Sequence, residues 1–75
     1  MFRSAIVLPS TLTPDVALQR LEPLRDDVSV VVRREEDGTT YCYDFSVGTL
    51  RAALQGNPAP TLTIALNLHD VISRS

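Results

Sequence analysis

Asp37-Gly38 stands between two runs that read as strands, residues 28–33 (VSVVVR) and 39–45 (TTYCYDF), and this arrangement most constrains the fold. Glycine accepts positive φ without a Cβ clash, so an acid-glycine pair is a strong signal for a two-residue hairpin turn. The flanking β-branched and aromatic residues suit a pleated, half-buried surface. The chain therefore contains an antiparallel hairpin, and its other elements must pack on it.

Side chains two apart on a strand share a face, so Tyr41, Tyr43 and Phe45 point together while Thr40, Cys42 and Asp44 point the other way. A row of rings stacks on bases, lines a pocket or fills a core. With Phe2 the only further ring and no tryptophan, the core is the preferred destination, with the tyrosine hydroxyls reaching its edge. Cys42, on the opposite face, is expected to be a small buried hydrophobe. The mixed charges of residues 33–37 (RREED) read as a solvated hairpin end.

The flanks supply the helices. Residues 3–8 form an apolar run ended by Pro9, a buried strand. Thr13 is placed to cap a helix, Pro14 suits its first position and Asp15 meets the positive end of its dipole. Ala17, Leu18, Leu21 and Leu24 share one face, and Pro23 stops or kinks the helix near Glu22. Ser46 caps a second helix carrying Val47, Leu50, Ala53 and Leu54 on one face, with Gly56 as its stop. Asn57-Pro58-Ala59-Pro60 is a stiff extended linker.

Residues 61–75 (TLTIALNLHDVISRS) support two readings. Leu62, Ile64, Leu66 and Leu68 alternate as on a strand, whereas Ile64, Ala65, Leu68, Val71 and Ile72 share a helical face. The predicted fold is α+β (or α/β): a small mixed sheet with two helices, ordered β-α-β-β-α and followed by a C-terminal strand or helix. Residues 1–75 form one domain, standing alone or as a module of a longer protein.

A domain of 75 residues removes only about 60 % of its unfolded surface from water, so its stability is marginal. Cys42 is the only cysteine and no paired Cys or His spacing suggests zinc, which leaves association as the expected source of support. The single cysteine, and the lack of a charged-then-apolar leader, point to a cytosolic protein. The longest apolar runs are far too short to cross a bilayer, so no membrane partner is expected. All seven basic residues are arginine, a habit associated with bacterial GC-rich genomes, and the net charge is −2. That charge disfavours nucleic acid. A strand reading of the C-terminal segment resembles the RNA-recognition motif in topology, yet the basic-glycine-aromatic start, the second aromatic motif and the basic surface of that family are missing.

Catalysis is not expected. Cys42 and His69 are one each, with no motif that brings them together. His69 beside Asp70 lacks the further ligands a metal needs. The acidic pairs Asp26-Asp27 and Glu35-Glu36 lie in solvated charged runs, and three glycines build no phosphate loop. No cofactor is implied.

Leu12-Thr13-Pro14-Asp15, Asp37-Gly38 and Leu50-Arg51-Ala52-Ala53-Leu54, taken in the order strand, helix, two strands and helix, are similar to a single CBS module over residues 5–54. The resemblance implies an adenine-nucleotide site with Ser46 and Thr49 at the pocket lip and Tyr41, Tyr43 or Phe45 beside the base. Thr49 stands where nucleotide-binding members carry an aspartate that holds the ribose, and a neutral hydroxyl is a poorer acceptor. The resemblance also implies pairing about a pseudo-twofold axis. The tyrosine-rich hairpin with a late ALNLHD is similar, more weakly, to small modules of bacterial conflict and signalling proteins that adjoin ATPase, protease-like or von Willebrand-type components.

The combined expectation is a non-enzymatic interaction or adaptor module that homodimerises or docks on a larger protein. Its surface would comprise Leu62, Ile64, Leu66, Leu68, Val71 and Ile72 with an exposed sheet edge. The alternative is a CBS-like sensor that binds a nucleotide through Ser46, Thr49, Tyr41, Tyr43 and Phe45.

Overall fold

The structure is a computed structural model, and it describes residues 6–68. The element order is β1 (Ile6–Pro9), α1 (Pro14–Leu21), β2 (Ser29–Glu36), β3 (Thr39–Ser46), α2 (Val47–Leu54) and α3 (Leu62–Ala65). The small mixed α+β architecture is the expected one. β1 pairs parallel with β2 in the register Ile6↔Val30 and Leu8↔Val32. β3 returns antiparallel along the other side of β2, with Val30↔Phe45, Val32↔Tyr43 and Arg34↔Tyr41. The sheet order is β1-β2-β3.

Local chemistry sets these boundaries. Thr13 caps α1 by accepting from the Val16 N–H at 3.3 Å, and Pro14 occupies the start, where its missing N–H leaves no gap. The helix stops at Leu21, two residues before Pro23, as the proline requires. Asp37 and Gly38 have φ of +54° and +78°, so both turn residues are left-handed and the hairpin closes with two residues. β2 runs on to Glu36 rather than ending at Arg33. The charged run predicted to be a solvated hairpin end is therefore strand, because it pairs residue for residue with residues 39–42.

One face of the sheet is covered. Leu8 of β1 and Val30 and Val32 of β2 meet Ala17 and Leu21 of α1, Val47, Leu50 and Leu54 of α2, and Leu62 and Leu68, all within 1 % of full burial. Each such leucine or valine contributes about 1.5–3 kcal/mol against exposure. The other face, with Val7, Ser29, Arg33, Glu35, Thr40, Cys42 and Asp44, is exposed, and Val31 is half-buried within it.

The C-terminal segment follows neither reading in full. Over the described residues it is a single helical turn, Leu62–Ala65, and no strand. Thr61 caps it by accepting from the Ile64 N–H, and Asn67 at φ +59° turns the chain so that Leu68 re-enters the core. Asparagine tolerates that left-handed conformation better than most residues. Residues 69–72, on which the longer strand and helix alternatives partly rest, lie outside the described residues. No described helix is long and apolar enough to cross a membrane.

Candidate functional site

The aromatic row of β3 lies on the covered face, as its period of two requires, and all three rings are half-buried. Tyr43 and Phe45 pack on the core cluster, and the Tyr43 hydroxyl donates to the Leu68 carbonyl at 3.5 Å. Tyr41 has a different neighbour. The guanidinium of Arg34, its cross-strand partner, lies 5.0 Å from the Tyr41 ring centroid, within cation–π range.

Arg34 is only 6 % exposed. Its Nη1 donates to Glu36 Oε1 at 2.7 Å, while its Nε–H is buried with no partner. The neighbouring Tyr43 hydroxyl and then the Glu36 carboxylate raise its pKa above the ordinary value, against the opposing effect of burial. A fixed, dehydrated cation with one unsatisfied donor beside a half-buried ring suits recognition of an oxygen acceptor. Sequence reading missed it, although Arg34 continues the alternation of Val30 and Val32 on the covered face and that period marks its direction.

Ser46 and Thr49 are adjacent, but their hydroxyls face each other. Ser46 Oγ accepts from the Thr49 N–H at 3.2 Å as the cap of α2 and donates to Thr49 Oγ1 at 2.9 Å. Tyr43 and Phe45 pack on the core cluster and Tyr41 lies against Arg34. Two surface clefts stand elsewhere. One of about 480 Å³ is lined by Leu18, Gln19, Glu22, Leu24, Arg51 and Gln55. The other, of about 310 Å³, is lined by Pro9, Ser10, Thr11, Arg33 and Glu35. None of the five residues assigned to a nucleotide lines either cleft.

The proposed contact surface divides. Leu62 and Leu68 are fully buried and unavailable to a partner, Leu66 is half-buried, and Ile64 is 55 % exposed. One helical turn cannot present residues i and i+2 together, which is why the alternating pattern fails here. Val71 and Ile72 lie outside the described residues, as does His69. Cys42 is exposed rather than buried, because no described element covers its face of the sheet. Among the described residues no group of three or more histidine, cysteine or acidic side chains is placed to hold a metal.

Comparison with known families decides the affiliation. A family model described as Ternary complex associated domain 7 matches residues 1–75. The chain belongs to this family. No curated protein and no solved structure matches it. The match to a Ternary complex associated domain does not extend to the CBS resemblance drawn from the element order.

Proposed function

We propose that this domain is a non-enzymatic adaptor that joins other proteins in a multi-component assembly of a bacterial cytosolic regulatory or conflict system. It does so by docking on a larger partner or by pairing with a second copy. The observation that carries the reading is the whole-length match to a Ternary complex associated domain, whose description names association in a complex. The surface is compatible with that role. Ile64 is 55 % exposed, Val7 is 50 % exposed on the sheet face that no described helix covers, and both outer strands have an edge unpaired among the described residues. A domain this small also gains in relative stability from any surface that association covers.

The test is recovery of the tagged chain from its native cells after crosslinking, with component masses and stoichiometry determined and the purified chain sedimented at low and high concentration. A complex of defined composition that Ile64→Asp or Leu66→Asp disrupts, with both variants folded, is the expected result. A chain recovered alone and monomeric at every concentration overturns the reading.

A further inference from the structure

We propose that the edge of β3 left unpaired among the described residues accepts an extended segment of a partner protein as a fourth strand, and that Arg34 recognises an acidic side chain of that segment. The inference rests on the adaptor reading above and specifies the chemistry of the partner.

Two independent features converge on this edge. First, β3 hydrogen-bonds to β2 alone among the described residues. The Val47 N–H bonds to the Val28 carbonyl at 2.9 Å. In the alternating antiparallel ladder that contact makes 30↔45, 32↔43 and 34↔41 the hydrogen-bonded pairs. The backbone groups of Thr40, Cys42 and Asp44 then point to the open side. An unpaired edge of this kind is a template for strand addition.

Second, the Arg34 guanidinium lies 5.0 Å from the ring centroid of Tyr41, which β3 itself carries, with its buried Nε–H unpartnered. An added strand lies roughly 4.8 Å beyond β3, and its residue opposite Tyr41 points to the same face as Tyr41. A glutamate or aspartate there reaches over the ring to the guanidinium after a small rotation of half-buried Tyr41. A carboxylate would satisfy the orphan donor and match the planar fork.

Edge-to-edge pairing of two copies does not supply the acidic group, which favours a different protein as the occupant. The covered-face residues of β3 are Thr39, Tyr41, Tyr43 and Phe45, and those of β1 are Ile6 and Leu8. None is acidic, so edge-to-edge pairing of two copies through either strand brings no carboxylate to Arg34.

The experiment uses a random linear peptide library displayed on phage and selected against the full chain. Recovered peptides are synthesised, and their affinities are measured by calorimetry against wild type, Arg34→Lys, Cys42→Pro and Cys42→Ser, each confirmed folded by its amide NMR spectrum. Arg34→Lys keeps the charge and removes Nε. Cys42→Pro removes an outward N–H without touching the β2–β3 ladder. The expected result is a pool enriched in Asp or Glu flanked by strand-forming residues. Affinity should fall about tenfold or more on Glu→Gln or Asp→Asn in the peptide, and likewise with Arg34→Lys and Cys42→Pro, but not with Cys42→Ser. Peptides that bind without an acidic residue, or equally well to Arg34→Lys, overturn the inference and leave the adaptor reading standing. No enrichment with a self-associating chain overturns it in favour of a second copy. No enrichment with a monomeric chain overturns it and counts against the adaptor reading as well.

Discussion

Arg51 of α2 closes the C-terminal end of α1: its Nη2 donates to the Leu21 carbonyl at 2.9 Å and to the Leu24 carbonyl at 3.1 Å. The Leu21 carbonyl ends α1 and also accepts from the Leu24 N–H at 2.9 Å, whereas Leu24 lies in the connection after Pro23. A cation near a helix C-terminus also opposes the dipole. Nη1 continues to the Asp26 carboxylate, which is exposed and so adds little. One arginine therefore joins the two helices and the loop that leads to β2.

Arg51→Ala should cost roughly 2 kcal/mol, a lowering of about 8–16 °C in the melting midpoint of a domain this size. Arg51→Lys should lose about half as much, since an ammonium supplies the charge without the planar fork. Circular dichroism melts of the three proteins check this. Equal midpoints would show that water serves the two carbonyls as well as the side chain does.

The hairpin turn gives a backbone test. Gly38 at φ +78° has nothing within 4 Å of the position a Cβ would take, so the cost of Gly38→Ala is purely conformational. It should be about 1–2 kcal/mol, the ordinary cost for an L-residue in the left-handed region. Asp37→Gly, at φ +54°, should be neutral or slightly stabilising, because the strain it relieves offsets the added freedom of the unfolded chain. Urea denaturation of both variants measures the difference. A larger loss in Asp37→Gly would reverse the assignment of strain.

Much of this fold was legible because short-range chemistry decides it. Thr13-Pro14, Ser46, Asp37-Gly38 and Pro23 act within four residues of themselves, and the structure places each at the boundary predicted from it. The aromatic row was legible for the same reason, since the period of a strand fixes which side chains share a face. What escaped depended on which face acquires a covering layer. Cys42 is exposed and Arg34 buried because the described helices pack on the face that Val30, Val32 and the aromatic row share. The alternation gives each side chain its direction, but residue type argued the other way, a cysteine reading as core and an arginine in a charged run as solvated. Leu62 and Leu68 escaped because the segment is a single turn capped by Thr61 and followed by left-handed Asn67, so the alternation of a strand does not apply: both leucines are buried while Ile64 is exposed.

The single turn predicts unequal effects at neighbouring leucine and isoleucine positions. Leu62→Ala removes a fully buried side chain and should cost about 2–5 kcal/mol, enough to leave much of a marginal domain unfolded. Ile64→Ala, more than half exposed, should stay within about 0.5 kcal/mol of wild type. Thermal melts of both variants decide the orientation of α3. Equal losses would place both residues in the core and contradict the single-turn geometry.

The Ser46–Thr49 pair separates a structural role from a ligand-binding one. Ser46→Ala deletes the acceptor for the Thr49 N–H and should cost about 1 kcal/mol through the lost cap. Thr49→Ala leaves that cap in place, because Ser46 Oγ still accepts from the residue 49 backbone, and removes only an exposed hydroxyl contact. Its cost should be within about 0.5 kcal/mol. The same two variants are then melted with and without adenine nucleotides. Since the two hydroxyls are directed at each other, nucleotide should shift neither the wild-type midpoint nor that of Thr49→Ala. A nucleotide-dependent rise of several degrees in wild type that vanishes in Thr49→Ala would show instead that the pair opens to a ligand, and would return the sensor alternative to first place.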